Sequence, residues 1–287
     1  METQFGALTV EVRDRVATVT IDAPPANLVG GPFIVGLLGL LPALDAAHAA
    51  DEVRVVVFRS ADPDFFLMHG DVESILAAGA KPYEPATAPN IAAVTFQRLS
   101  SAPYVSIAAI DGAARGGGAE FLTALDLRVG TPRTVLGQPE VPMGILPGAG
   151  GTSRLPRLLG RSRALEIILT ARDVDADEAL RIGWLDAVVP SEQLERHVAA
   201  LAERIAASPP ASVAQVKRVV DTSLTPIDHA LVAETDAYAQ LTATGQHIEP
   251  MQRFLAAGGQ TRAGEAGRAG AIEPLWGAMV RGEDDVA

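Results

Sequence analysis

From Leu8 to Asp22 (LTVEVRDRVATVTID) apolar and polar residues alternate on both sides of Arg13-Asp14-Arg15, the period-two pattern of a hairpin with one buried face. The period turns helical from about Pro32 to His48. Val53 to Phe58 (VRVVVF) and Tyr104 to Ile110 (YVSIAAI) are nearly continuous apolar runs, which suit strands covered on both faces. Asp71 stands where its side-chain oxygen can accept from the free amides of a short helix over 72–78. The stretch 79–90 (GAKPYEPATAPN) holds three prolines and reads as a loop, with a helix predicted near 91–100. Strand and helix go on alternating through a strand at Arg128 to Thr131, which predicts an α/β core with crossover connections.

Past residue 150 the stretches 153–183 and 191–283 read as successive helices, interrupted by the strand-like Ala187-Val188-Val189. Pro209-Pro210 marks a break in direction. The expected organisation is a core over 1–208 and a helical C-terminal region over 209–287. In that region Val213, Val216, Val219 and Val220, and then Leu231 and Val232, recur at helical spacing, so the face they form must bury against the core or against another subunit. Gly259 to Gly270 is rich in small residues and is expected to be flexible. No repeat of fixed period is present.

Composition narrows the function. A chain of 287 residues, 48% hydrophobic and 20% charged, can bury a full globular core. Its 23 basic and 35 acidic residues give a net charge of −12, which repels polyanions and argues against nucleic acid and anionic membrane as partners. An anionic ligand must then be held locally, by backbone amides or a few arginines. The absence of cysteine excludes disulfides, thiolate nucleophiles and Cys-based metal sites. The opening METQFGALTVEVRDRV lacks the pattern of a signal peptide, and Phe33 to Leu44, broken by Gly36, Gly39 and Pro42, falls short of the roughly 20 residues of a membrane span. A cytoplasmic protein is expected.

Candidate chemistry lies in two glycine-rich segments. Neither GAARGGG (112–118) nor GILPGAGGTSR (144–154) has the spacing of a dinucleotide fingerprint or a P-loop, and neither Lys81 nor Lys217 sits in such a loop. The Gly116–Gly118 triplet follows a strand and opens a helix. Two readings fit it: close helix–strand packing, or free amides presented to an oxygen that carries negative charge. Glu120, set among Ala119, Phe121, Leu122 and Leu125, is either paired with an arginine such as Arg115 or Arg154, or catalytic. Glu140 is the one charge between Gly137 and Gly151, either a cap or exposed turn residue or a second functional acid. His69, in FFLMHGDV, is either bonded to local backbone or catalytic. The five histidines lack metal-ligand spacing, so no metal site is expected, and no serine has the G-x-S-x-G context of a hydrolase triad.

Three segments together resemble the crotonase superfamily, the enoyl-CoA hydratase/isomerase proteins: FFLMHGDVESI (65–75), IDGAARGGGAEFLTALDLRVG (110–130) and GQPEVPMGILPGAGGTSRLPRLLG (137–160). The similarity runs from about residue 8 to 222. It implies an α/β spiral of ββα repeats with a C-terminal helical, trimerisation-type region, assembled as a homotrimer or hexamer. It also implies an oxyanion hole formed by the amides of Gly70 and Gly117, and an acid–base pair of Glu120 and Glu140 that hydrates a 2-enoyl-CoA thioester. Coenzyme A would enter as part of the substrate, with no cofactor bound permanently. By position, Ala26, Met68, His69 and Asp71 would contact the acyl-CoA, as would Gly116, Pro139 and Gly148. The sequence departs from the family at His69, where glycine is common, and at Pro25 in PPANL (24–28), where a basic residue is frequent. Isomerisation, thioester hydrolysis, decarboxylation and acyl-CoA binding without turnover stand as alternatives.

Overall fold

The computed structural model describes residues 2–80, 82–223 and 228–265. After a short strand β1 (Gln4–Phe5), the alternating stretch folds as the antiparallel hairpin β2 (Leu8–Arg13) and β3 (Val16–Ile21), and Asp14 and Arg15 make its turn at φ 49° and 65°. Leu8 and Val10 face Ile21 and Val19 across the ladder, all four buried. Helix α1 (Gly31–Ala49) follows. At 19 residues it is long and apolar enough to cross a membrane, contrary to the expectation drawn from Phe33 to Leu44 alone. Here Phe33, Leu37, Leu40 and Leu44 are completely buried in the protein core.

Three successive turns then build the spiral. Each gives one strand to a larger sheet and the next to a smaller one: β4 (Val55–Ser60) and β5 (Phe65–Leu67), β6 (Val105–Ile110) and β7 (Ala113–Arg115), β8 (Leu127–Gly130) and β9 (Val135–Gly137). Helices α2 (Val72–Ala78) and α3 (Ile91–Ser100) follow β5, and α4 (Gly117–Thr123) follows β7. A 3-10 turn at Val141–Met143 leads into α5 (Gly151–Leu159) and α6 (Arg161–Thr170). Strand β10 (Val174–Asp175) then pairs antiparallel with β9, so the stretch 153–183, expected to be wholly helical, is interrupted where Val174 meets Leu136. Next come α7 (Ala176–Ile182), β11 (Ala187–Val188) and α8 (Ser191–Ala206). Helices α9 (Pro210–Ser223), α10 (Asp228–Ala243), α11 (Ile248–Ala256) and α12 (Arg262–Glu265) complete the described chain.

The larger sheet has the order β1-β2-β3-β4-β6-β8-β11, parallel from β3 onward, and the smaller the order β10-β9-β7-β5. Both faces of β4 and β6 are covered, as their unbroken apolar runs require. On one side, Leu194, Val198, Ala202 and Ala206, four residues apart along α8, cover Val55, Val57, Val105 and Ile107. On the other, Phe121 of α4 sits edge-on to Phe33, Phe58 and Phe96 at centroid distances of 5.4, 5.1 and 5.3 Å.

Two local expectations are corrected. Asp71 occupies the position before α2 without forming a cap hydrogen bond; its carboxylate is instead engaged by the Ser74 hydroxyl and, at 3.1 Å, by the Gln260 side-chain amide. Residues 259–265 of the stretch expected to be flexible form a turn and α12, with Gln260 and Glu265 buried; 266–270 lie outside the described residues.

Gly118 shows why α4 starts where it does. A Cβ there would fall 1.8 Å from the Leu67 carbonyl oxygen and 2.4 Å from its carbon. Neither is a flexible side chain that could give way. Gly118→Ala is therefore expected to destabilise the fold by about 3 kcal/mol or more, read as a loss of soluble yield or a thermal midpoint lowered by roughly 5–10 °C.

Candidate active site

Strand β7 ends at Arg115, Gly116 turns the chain at φ 52°, and α4 begins at Gly117. Packing accounts for two of the three glycines. A Cβ on Gly116 would lie 2.7 Å from Glu140 Oε1 and 2.8 Å from His69 Cβ, and Gly118 meets Leu67 as described. Gly117 is less tightly enclosed: a Cβ there would lie 3.2 Å from Val29 Cβ and 3.4 Å from the Gly70 nitrogen. Gly70 belongs to the turn between β5 and α2, paired as a single bridge with Val29. Among the described residues, neither the Gly70 nor the Gly117 amide has an acceptor. Two unused donors from separate turns thus stand side by side on the wall of a cavity of about 380 Å³, which Glu120 and Glu140 also border.

Glu120 is 3% exposed. Its Oε1 accepts from the amides of Ala149 and Gly151 at 2.7 and 2.8 Å, at the entry to α5. The arginine pair considered for it is not formed among the described residues. Arg115 holds Asp173 through two hydrogen bonds of 2.7 and 2.8 Å, and Arg154 donates to Ala149 O and to Gln97. Glu140, 6% exposed, precedes the 3-10 turn without capping it, and its Oε2 is buried with no partner among the described residues. It is neither an exposed turn residue nor a cap.

A third carboxylate enters from α10. Glu234 accepts from the Gly150 amide at 2.6 Å and from the hydroxyls of Thr152 and Ser153. Three successive amides, 149 to 151, therefore alternate between Glu120 and Glu234. Burial, then the charge of Glu234, pushes the Glu120 carboxyl from 4.5 up to about 8, against the two amides and Arg154, which lower it. Burial, then the charge of Glu120, raises Glu140 well above 4.5, and burial raises Glu234.

His69, Asp71 and Gly148 line the cavity; Ala26, Met68, Gly116 and Pro139 do not. Ala26 and Met68 pack behind it with Phe65 and Ala113. The Met68 carbonyl accepts from Gly118 at 3.0 Å, so that residue acts through its backbone. The His69 ring is 2% exposed, with Nδ1 at 3.0 Å from its neighbour's carbonyl, Gly70 O, and Nε2 at 3.0 Å from Glu265 Oε1. The local backbone contact weighed for it is present, joined by a distant carboxylate.

Sequence reasoning missed Glu234, Tyr238, Met251 and Glu265, all from the C-terminal helices. Tyr238 and Met251 line the cavity, and the Tyr238 ring covers Gly148. Glu234 has Asp236 two residues on, so it lacks the isolation that made Glu120 visible.

A family model described as enoyl-CoA hydratase/isomerase matches residues 11–261. Among solved structures, a candidate enoyl-CoA hydratase from Streptomyces avermitilis is 34% identical over 95% of this chain and 99% of its own, at a TM-score of 0.83. DspI from Pseudomonas aeruginosa is 29% identical over 82% and 94%, with a TM-score of 0.69. Enoyl-CoA hydratase from Bacillus anthracis is 27% identical over 88% and 95%, with a TM-score of 0.67. The chain belongs to the enoyl-CoA hydratase/isomerase family and has the crotonase fold.

The raised Glu120 carboxyl has a measurable consequence for stability. Between pH 4.5 and about 8 the folded chain keeps a proton that the unfolded chain releases, so this group's contribution to stability falls as pH rises through that window. Glutamine keeps an oxygen for both amides and carries no charge. Glu120→Gln is expected to melt roughly 5 °C above the wild type at pH 8 and close to it at pH 4, by calorimetry.

Proposed function

We propose that the chain catalyses hydration of a 2-enoyl-CoA thioester. The observation that carries this reading is the juxtaposition of the unused Gly70 and Gly117 amides with two carboxylates on one cavity. A thioester carbonyl oxygen placed between the amides gains charge as an enolate forms, so fixed donors help the transition state more than the ground state, each worth about 3 kcal/mol in comparable sites. The apolar lining from Ile34, Ile75, Met143 and Met251 suits a hydrocarbon acyl chain.

The two acids divide the proton work. Glu120, whose Oε1 already accepts two amides, is the member better able to carry charge; its ionised form, whose share grows as pH rises toward about 8, takes the proton from water attacking the β-carbon. Glu140, with a bare Oε2, keeps its proton and delivers it to the α-carbon. Charge collected on the carbonyl oxygen returns to the carbon skeleton as that proton arrives. Isomerisation and decarboxylation pass through a thioester enolate and hydrolysis through a tetrahedral oxyanion, all with charge on the same oxygen, but the second carboxylate at the cavity favours addition of water. The reading requires coenzyme A only as the substrate's carrier and no resident cofactor.

With crotonyl-CoA, the conjugated-thioester absorbance is expected to fall as a product heavier by one water appears by mass spectrometry. Glu120→Gln and Glu140→Gln are each expected to slow this by about two to four orders of magnitude. Unchanged turnover in the double variant would falsify the assigned roles. Assembly as a homotrimer or hexamer is part of the same proposal, supported by the exposed Val216, Val219 and Val220 on α9. Sedimentation equilibrium should give three or six copies; a monomer across the micromolar range would refute it.

A further inference from the structure

The turn that presents the Gly70 amide is fixed from two sides. On its inner side it is bonded to the core: the Val29 amide donates to His69 O at 3.0 Å, the Met68 amide to Asn27 O at 2.7 Å and the Gly118 amide to Met68 O at 3.0 Å. Its outer side is held by residues almost two hundred positions later. Glu265 Oε1 accepts from the Gln260 amide at 2.8 Å and lies 3.0 Å from His69 Nε2. The Gln260 side chain takes the Val72 amide and donates to Asp71 Oδ1 at 3.1 Å, so every residue from 69 to 72 except Gly70 is gripped by this segment. Phe254 of α11 closes the ring face of His69, edge-on at 5.2 Å.

The two contacts of His69 are of one kind. Gly70 O can only accept, so Nδ1 is the donor to it, and Nε2 faces the Glu265 carboxylate, a second acceptor. Burial works to raise the Glu265 carboxyl, but the hydrogen bond and charge of His69, with the Gln260 amide and Arg115, outweigh it and hold it below its ordinary value. A carboxylate and an imidazole are together withdrawn from water at the one turn that must aim an amide. Removing one partner leaves the other buried and uncompensated, and frees the Gly70–Asp71 peptide that adjoins the Gly70 amide.

We propose that His69 and Glu265 are positioning residues that fix the backbone on either side of the Gly70 amide, His69 at its Cα and the Gly70–Asp71 peptide at its carbonyl, so that the segment Gly258–Glu265 is a working part of the oxyanion hole. The inference rests on the reading of Gly70 as a thioester donor. Neither residue takes a proton from the substrate; each acts through the Gly70 amide.

The test uses the full chain with saturated [1-13C]hexanoyl-CoA, whose carbonyl carbon moves downfield when its oxygen accepts strong hydrogen bonds. The wild type is expected to shift this resonance, and Glu265→Ala to lose about half of the shift or more. In crotonyl-CoA turnover Glu265→Ala and His69→Gln should lower kcat roughly 10- to 100-fold with KM within about twofold, the signature of a contact made in the transition state. Glu265→Gln keeps an oxygen for His69 and Gln260 and serves if the alanine variant does not fold; it should retain the melting temperature and lose about three- to tenfold in kcat. A role confined to stability would lower the melting point and leave the resonance unmoved. Wild-type shift and kcat in both Glu265 variants would overturn the inference while leaving Gly70 as a donor. Absence of a downfield shift in the wild type would instead remove the donor reading itself, and this inference with it.

Discussion

One close backbone crossing organises the molecule. Helix α4 passes so near strand β5 that Gly118 donates to the Met68 carbonyl at 3.0 Å and leaves no room for a side chain against Leu67. Only two chains in such contact can place an amide from the start of one beside an amide from the end of the other. The crossing in turn depends on the spiral, because β5 and β7 are neighbours in the smaller sheet and β4 and β6 neighbours in the larger. Phe121, clamped by three phenylalanine rings, holds α4 against that frame from beneath. The amide pair is thus a product of sheet topology.

The acids carry the opposite kind of cost. Three buried carboxylates, Glu120, Glu140 and Glu234, meet near one turn, where burial disfavours the charge of all three, Glu234 disfavours ionisation of Glu120, and both disfavour that of Glu140. The turn at 149–151 compensates in part by dividing its amides between Glu120 and Glu234, while Glu140 keeps one oxygen without any partner. A fold under selection for stability alone would replace such a cluster with apolar side chains. Family membership and the unused amides give the cluster its context.

Much of this was legible in the sequence because local pattern dictates it. Alternation specified the β2–β3 hairpin, unbroken apolar runs specified β4 and β6, and Glu120 and Glu140 stood out as single charges in apolar surroundings. What stayed hidden depends on contacts between distant residues. Glu234 sits on a helix with other polar residues, and only the packing of α10 against α5 reveals that it is buried. The small residues of 259–265 suggested flexibility, yet Gly264 packs against the Gly258 carbonyl so that Glu265 can reach His69. Asp71 had the right identity and position for a cap and was drawn instead into bonds with Ser74 and Gln260. Ala26 and Met68 lie in the segments that carry the resemblance but behind the cavity wall, and sequence position alone does not determine on which side a residue falls.

The late position of Glu234, Tyr238, Met251 and Glu265 has a bearing on biosynthesis. Synthesis runs from the N-terminus, so both amides and the Glu120–Glu140 pair leave the ribosome before the residues that wall them in. A chain cut short before α10 would keep the donors and the acids but lack Tyr238 and Met251, and with them part of the wall that shelters the cavity from water.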